Sequence, residues 1–346
     1  MSQNNTDNLA HTDNEHQQQY NKLGFSSWDL LNIVDKNAIS TIVCLLGVVS
    51  NIINLLVFLR QGFSDAVNVS LLGLAVSDTG LLISLLAMHL CTNPLIYTFT
   101  SIPYYPSELA VFPGTLYISF SKLSCLITNF VTIQRCLCMS YPLKIKLLMT
   151  PQRTALVLAS MSLAVFFIVT FPATCTGSAY IGWKTLPLFN KSILGLIIND
   201  KFGIINNISM YILTSVQITL FITIISSTAI LIYQLKRQAQ WRNSSKALSF
   251  DKSQQFSQRD YKLSRMIVVL SIVLILGITP STGSLIFNFC VPAVSNVSSI
   301  DHVYSLFWTL GALCEALNSS ASLCVYYNVS SKYRKTFVSI MCVSKK

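Results

Sequence analysis

Charged residues are scarce in this sequence. Only 11% of the 346 residues are Asp, Glu, Lys or Arg, whereas soluble domains average about 25%. Hydrophobic residues make up 52% of the chain, and the mean hydropathy is +0.56. A soluble domain of this length would have to expose much of that apolar surface to water. The composition therefore favours a chain whose solvent is lipid.

The residue patterns of catalytic and metal sites are also missing. The sequence has no phosphate-binding loop, no paired nucleophile and base, no Cys-x-x-Cys motif and no Cys/His cluster. We therefore expect neither an enzyme nor a metal centre. Most of the ten cysteines fall in apolar stretches, where thiols pack as small hydrophobic groups. Cys91, Cys175 and Cys290 stand near the ends of such stretches, so a disulfide among them stays open.

Seven apolar stretches come near the roughly 20 residues that a helix needs to cross the hydrocarbon core. They lie at about 38–59, 69–90, 111–138, 154–176, 207–235, 266–289 and 304–327. The first 37 residues lack the basic start and apolar core of a cleaved signal peptide and predict a disordered tail. The predicted organisation is a tail over 1–37, a seven-transmembrane domain over 38–327, and a membrane-surface helix with a cytoplasmic tail over 328–346.

The basic residues are unevenly placed. Most of the 24 Lys and Arg residues fall in segments that are cytoplasmic if the N-terminus is extracellular. This bias predicts a multi-pass plasma-membrane protein with its N-terminus outside. The net charge of +11 then faces anionic membrane lipid on the cytoplasmic side, so it implies no nucleic-acid partner.

Four motifs in order resemble the rhodopsin-like G-protein-coupled receptors, over about residues 38–340. They are GVVSNIINLLVF with Asn51, NVSLLGLAVSDTG with Asp78, QRCLCMSYPLKIK with Arg135, and NSSASLCVYYNVSSKYRKTF with Tyr326. Together with LKRQAQWR, they are most similar to molluscan and related invertebrate receptors for peptides or chemical cues. The resemblance implies an all-α seven-helix membrane bundle that binds an extracellular ligand and activates a heterotrimeric G protein.

Several positions depart from the pattern of that family. The usual acid before Arg135 is Gln134, the usual Asn-Pro before Tyr326 is Ser322-Leu323, and the cysteine that usually opens the third span would fall at Ala110. The usual disulfide to the second outer loop is therefore not expected. These departures leave two alternatives open: a transporter-like or channel-like seven-span protein, and a degenerate receptor that does not signal.

Apart from Arg135 at the end of the third span, the predicted spans contain three full charges, of which Asp78 is the first. Burying a charge in hydrocarbon is costly, so each such residue indicates a functional site. The resemblance places Asp78 with four polar residues around a structural sodium ion, namely Ser124, Asn318, Ser319 and Ser322. A carboxylate, hydroxyls and an amide supply the oxygen ligands that a hard cation needs. The alternative is a protonated Asp78 held by hydrogen bonds between helices.

Lys122 and Glu315 are the other two embedded charges, at similar depths in the third and seventh spans. Either they form a buried salt bridge or they contact ligand, and the two are not exclusive. The resemblance implies a ligand pocket lined by Tyr117, Ser121, Lys122, Ser281, Thr282, Leu285 and Glu315. Tyr117 stands where receptors for amines carry an Asp, and Ala316 where opsins carry the retinal Lys. A peptide, or a small polar or acidic chemical cue, remains as the ligand.

Arg135 and Tyr326 are the residues that the resemblance assigns to G-protein coupling. Gln134 can offer Arg135 only a neutral hydrogen bond, so we expect Asp260, 20 residues before Pro280, to hold the arginine in the resting state. Pro280 removes a backbone hydrogen bond from the sixth span and is the expected hinge.

The C-terminal residues after Tyr326 alternate apolar and basic residues at helical spacing and predict a short amphipathic helix on the membrane. Cys342 is a candidate for palmitoylation. Between the fifth and sixth spans, residues 236–265 have no apolar periodicity in their middle and predict a mobile loop. Asn4 and Asn190 are the expected glycosylation sites of the outer segments.

Overall fold

The computed structural model of the chain describes residues 38–93, 106–174, 179–186, 191–199, 202–244, 252–290 and 298–343. The predicted tail over 1–37, which includes Asn4, and the predicted glycosylation site Asn190 lie outside these residues. The side chains of Asp260 and Cys342 also lie outside the described part, although both residues belong to helices.

Seven long helices follow one another along the chain, as the hydropathy pattern predicts. They are α1 Ser40–Gln61, α2 Ala66–Thr92, α3 Val111–Ser140, α4 Pro151–Thr174, α5 Phe202–Ser244, α6 Lys252–Cys290 and α7 Ser298–Val329. The predicted amphipathic helix is α8, Ser331–Val343. A single turn at Pro106–Leu109 precedes α3, and a short helix at Pro142–Leu148 follows it.

Among the described residues, six helices are long and apolar enough to cross a membrane by length and composition, and these are α1 to α6. The 32-residue α7 is long enough to cross as well, but Glu315, Asn318 and several serines make it more polar. Many polar side chains are buried in the interior of the bundle, and many large apolar side chains are exposed on its surface. In α1, Asn51 and Asn54 are fully buried while Leu46 is 63% exposed. This inverted pattern is typical of a helix bundle surrounded by lipid.

The segment predicted as a mobile loop over 236–265 is largely helical, so that expectation is wrong for most of its length. α5 continues to Ser244, and α6 begins at Lys252. The segment contains no Gly or Pro and is rich in Gln, Lys, Arg and Ala, which are good helix formers. The apolar pattern ends at the predicted ends of the spans, whereas residues with high helix propensity continue beyond them.

A β-hairpin that the sequence reasoning did not anticipate lies between α4 and α5. Strands β1 Ala179–Leu186 and β2 Lys191–Ile198 pair antiparallel, with Gly182 opposite Gly195. We call the end of the bundle that carries this hairpin the hairpin end, and the opposite end, where α8 packs on α1, the α8 end. The fold is thus the predicted all-α bundle with one small hairpin added.

A hydrogen bond to the carboxylate of Glu108 connects the hairpin with the turn before α3. Glu108, in the turn just before α3, accepts a hydrogen bond from the backbone N–H of Leu196 at 2.5 Å. Ala110, two residues later, is where the related receptors carry the cysteine of their usual disulfide. Cys91 has a free thiol, and the side chains of Cys175 and Cys290 lie outside the described part. In the described residues, a hydrogen bond therefore connects the two elements that a disulfide usually joins.

Candidate functional site

Glu315 of α7 is the centre of a hydrogen-bonded cluster in the half of the bundle toward the hairpin end. Its Oε2 accepts hydrogen bonds from the hydroxyls of Tyr117 and Ser121, both at 2.8 Å, and its Oε1 accepts one from Ser281 at 2.6 Å. The glutamate is 4% exposed. These four residues, which we call the Glu315 cluster, connect α3, α6 and α7 through one carboxylate.

The sequence explains why these side chains meet. Tyr117 and Ser121 are four residues apart on α3 and therefore share one helix face. Helices α6 and α7 approach closely at Gly311, because a Cβ atom there would lie 2.9 Å from Cβ of Ser281 and 3.0 Å from its backbone N. Gly311 is one turn before Glu315 on the same face. Because glycine has no side chain, α6 packs close enough for Ser281 to reach the carboxylate of Glu315.

Lys122 has partners of its own, which we call the Lys122 chain. Its Nζ donates to Oε1 of Gln217 at 2.5 Å, and Nε2 of Gln217 donates to Oγ1 of Thr282 at 2.8 Å. Thr282 then donates to the carbonyl of Ile278 in its own helix. The chain connects α3, α5 and α6. Gln217 is 1% exposed and was missed by the sequence reasoning, although it is the one amide side chain in the middle of the fifth apolar stretch.

The predicted pocket residues are thus divided into two groups. Tyr117, Ser121 and Ser281 gather around Glu315, whereas Thr282 belongs to the Lys122 chain. Leu285, the remaining predicted pocket residue, is buried one turn beyond Ser281 on α6. The salt bridge left open from sequence is not the contact that Lys122 makes, since its hydrogen bond goes to Gln217. Among the described residues, the hydrogen bonds of Glu315 and of Lys122 therefore go to neutral side chains.

Asp78 of α2 accepts two hydrogen bonds on one oxygen, from Ser124 of α3 at 2.6 Å and from Ser319 of α7 at 3.2 Å. Its other carboxylate oxygen accepts none within the part of the chain that the structure describes. Asn318, a predicted member of this site, is not among the described hydrogen-bond partners of Asp78, and its Cβ would lie 3.0 Å from a Cβ atom at Gly277 of α6. The structure brings together three of the five predicted residues.

Ser322 belongs to an adjacent group of buried polar residues that reaches α8. Asn54 donates to the hydroxyl of Ser322 at 3.0 Å and to Oδ1 of Asn51 at 3.2 Å, and Asn51 donates to the carbonyl of Ser319 at 2.9 Å. Tyr333 of α8 donates to Oδ1 of Asn54 at 2.6 Å. Burial raises the pKa of the Tyr333 hydroxyl above its ordinary value, so the group remains a donor.

The role of Asn54 could have been suspected from sequence. It follows Asn51 by three residues and therefore shares its helix face. Tyr333 could not, because its partner is more than 270 residues away in the chain. The pair fixes α8 against α1 at the α8 end.

Arg135 and Gln134 are both buried near the end of α3, at 5% and 1% exposure. Oε1 of Gln134 has no hydrogen-bond donor among the described residues. Tyr326 of α7 is packed between aromatic rings, with its ring centroid 5.1 Å from that of Phe58 and 5.5 Å from that of Tyr333. Asp260 belongs to α6, but its side chain is not described, so its pairing with Arg135 stays a prediction.

Pro280 lies within α6, directly before Ser281, and the helix continues through it. The carbonyl of Leu276, four residues earlier, has no proline N–H to bind. The local weak point of α6 is therefore adjacent to the side chain that α6 contributes to the Glu315 cluster.

Comparison with known proteins agrees with this arrangement of helices. No curated protein matches the chain. The profile of one family, described as the serpentine type 7TM GPCR chemoreceptor Srw, matches residues 38–344, which include all seven long helices and α8. This match supports a serpentine receptor, and it does not single out the rhodopsin-like class or the molluscan receptors. The chain belongs to the serpentine seven-transmembrane chemoreceptor family Srw.

Proposed function

We propose that this chain is a plasma-membrane chemosensory receptor whose ligand is a small polar molecule or peptide that engages the Glu315 cluster and the Lys122 chain. The observation that carries the proposal is the buried carboxylate of Glu315, whose hydrogen-bond donors among the described residues are three hydroxyls, and which connects three helices. Interior charges are expensive and mark functional sites in membrane proteins. The N-terminus and the hairpin end would be extracellular.

The two charges suggest the chemistry of the ligand. Glu315 and Lys122 each bind neutral groups, so a ligand with a cationic donor at one end and an acceptor or anion at the other would complement both. Such a ligand would replace neutral hydroxyl and amide partners with partners of opposite charge, which bind a buried charge more strongly. A purely apolar odorant would leave both charges without that gain and is disfavoured.

Binding would be transmitted through α6. Ser281 donates to Glu315 and Thr282 accepts from Gln217, so both polar groups adjoin Pro280. A ligand that takes the place of either partner changes the forces on α6 next to its proline hinge. The shift toward an active state can be no larger than the difference in ligand affinity between the two states.

At the α8 end, which would be cytoplasmic, the active receptor would bind a heterotrimeric G protein. Arg135, Gln134 and Tyr326 are the residues that we assign to this coupling, with Asp260 restraining Arg135 at rest. The rhodopsin-like resemblance of these motifs supports the assignment.

We also propose that Asp78, Ser124 and Ser319 hold a sodium ion. The donor set fits: one carboxylate oxygen is free of hydrogen bonds from the described residues, and two hydroxyl oxygens lie beside the other. A bound cation would neutralise a carboxylate that is otherwise buried without a counter-charge.

The test is a G-protein activation assay in cells that express the chain, with Glu315→Gln and Ser281→Ala beside the wild type. Screening cationic, anionic and zwitterionic metabolites should reveal a response that Glu315→Gln abolishes or weakens by at least about tenfold, the worth of one charged hydrogen bond. Ser281→Ala should weaken it less. Normal surface expression without ligand-driven or basal coupling to any G-protein class would contradict the proposal.

A further inference from the structure

A second candidate site opens at the α8 end, far from the Glu315 cluster. A cleft of about 250 Å³ lies between the ends of α1, α2 and α6 and the junction of α7 with α8. Its polar lining includes Gln61, Asn68, Lys262, Tyr326, Ser331 and Lys332. The cleft therefore lies where two lysines from separate helices approach a set of buried polar side chains.

Two polar groups that line this cleft have no hydrogen-bond partner in the part of the chain that the structure describes. They are the hydroxyl of Tyr326, whose side chain is 1% exposed, and Nε2 of Gln61. Buried donors without partners are rare in native proteins, because each loses its water without compensation. Asn68, by contrast, is satisfied by the carbonyls of Phe58 and Gly62. Both unsatisfied groups can donate, so the missing partner is an acceptor.

The charged side chains around the cleft also favour a negatively charged ligand. Lys262 and Lys332 are exposed side chains on its rim. An adjoining cleft of about 480 Å³ shares Lys262 and Ser331 with it and adds Arg265 and Arg334. The one acid in the lining, Asp65, is the N-cap of α2, where its carboxylate accepts from the N–H of Val67 at 3.1 Å. The local field thus favours an anion.

The backbone contributes as well. Ser330 caps α8 by accepting the N–H of Tyr333, while Ser331 and Lys332 form the first turn of this 13-residue helix and line the cleft. N–H groups of the first turn have no partner within their own helix. Together with the helix dipole, they favour a negative group at this position.

We propose that this cleft binds a phosphate group, held by the hydroxyl of Tyr326, the amide of Gln61 and the ammonium groups of Lys262 and Lys332. A phosphate monoester offers several acceptor oxygens and about two charges, which matches a site made of donors and cations. The group could come from a phosphorylated lipid headgroup or from a soluble organic phosphate. The site does not depend on the identity of the receptor's ligand.

The experiment uses the full chain, purified in phosphatidylcholine nanodiscs. One arm adds phosphatidylinositol 4,5-bisphosphate to the disc, and the other adds inositol hexakisphosphate to the buffer, with binding measured by the rise in thermal unfolding temperature and by titration. The Lys262→Gln, Lys332→Gln double variant should bind at least about tenfold more weakly. Tyr326→Phe, which removes only the hydroxyl, should weaken binding by about three- to tenfold.

Lys236→Gln is the matched control, because it removes the same charge from an exposed position on α5 outside the cleft, and it should bind as the wild type does. If the double variant fails to fold, Gln61→Leu and Tyr326→Phe carry the comparison. Binding in the lipid arm alone identifies a headgroup as the source, and binding in the soluble arm identifies a free phosphate. The proposal is overturned if neither probe binds, or if Tyr326→Phe and the lysine variants bind as tightly as Lys236→Gln.

Discussion

Lys122 of α3 donates a hydrogen bond to Gln217 of α5, with 2.5 Å between Nζ and Oε1. Lys122 therefore satisfies its ammonium with a neutral amide, although Glu315 lies in the same half of the bundle and binds three hydroxyls instead. A salt bridge would have cancelled both charges. Keeping them apart leaves two charged groups that a dipolar ligand could recruit.

The amide of Gln217 should be essential only while Lys122 is charged. Gln217→Leu would leave the ammonium buried without an acceptor, and we expect the free energy of unfolding to fall by about 1–3 kcal/mol. Lys122→Met in the same chain removes both partners and should restore most of that loss. Thermal unfolding of the single and double variants in detergent measures the coupling. If the two losses simply add, the bond carries no stability.

Gly311 should be necessary for the contact between α6 and α7. Gly311→Ala places a methyl group 2.9 Å from Cβ of Ser281 and forces the two backbones apart. We expect a loss of about 1–3 kcal/mol from this overpacking and a weaker ligand response, because Ser281 would move away from Glu315. Ligand titration and thermal unfolding measure the two effects.

Gly283→Ala is the control for that variant, since a Cβ atom at Gly283 meets nothing within 4 Å. It lies on α6, two residues from Ser281, and should unfold at the wild-type temperature or slightly above. Because Ala has the higher helix propensity, equal losses in the two variants would mean that the close approach at Gly311 is not what the substitution disturbs.

The hydrogen bond from Leu196 to Glu108 should hold the hairpin at the start of α3. Glu108→Ala removes the acceptor, so hydrogen exchange at the Leu196 amide should quicken by about fivefold, the equivalent of about 1 kcal/mol. Glu108→Gln keeps a carbonyl oxygen at the same reach and should preserve most of the protection. Exchange followed by mass spectrometry gives the comparison. Unchanged exchange in Glu108→Ala would mean that β1 alone holds the strand.

The sequence is informative about the helices and about the embedded charges, because both follow from the cost of polar groups in lipid. Seven apolar stretches predicted seven helices, and the rarity of charge singled out Asp78, Lys122 and Glu315. Their partners were not predictable in the same way. Gln217 and Asn54 are uncharged residues in apolar stretches, and only packing decides that one meets Lys122 and the other Tyr333.

The hairpin was missed for a different reason. Its two runs, AYIGWKTL and KSILGLII, are rich in the β-branched and aromatic residues that favour strands. A membrane-spanning helix needs about 20 apolar residues, and runs of eight residues are too short to show this hydropathy pattern. The parts of α5 and α6 that extend beyond the apolar stretches were not predicted either, because they are helical but not apolar.

Sodium should stabilise the receptor through Asp78. We expect wild-type protein to unfold at a higher temperature in sodium chloride than in choline chloride, and Asp78→Asn to show no such difference, because the amide removes the charge that attracts the cation. Asn318→Ala should respond to sodium as the wild type does, since the described hydrogen-bond partners of Asp78 are Ser124 and Ser319 and not Asn318. A sodium effect that survives in Asp78→Asn would place the ion elsewhere.

The restraint on Arg135 should depend on an acid from another helix. Gln134 is buried and neutral, and its Oε1 has no donor among the described residues. If Asp260 of α6 holds the arginine in the resting state, Asp260→Ala should raise basal G-protein activation by about fivefold, the equivalent of about 1 kcal/mol for one net hydrogen bond. Gln134→Glu should lower it by supplying the missing acid within α3. Basal activity measured at matched surface expression decides the matter, and an unchanged level in Asp260→Ala would show that the restraint comes from elsewhere.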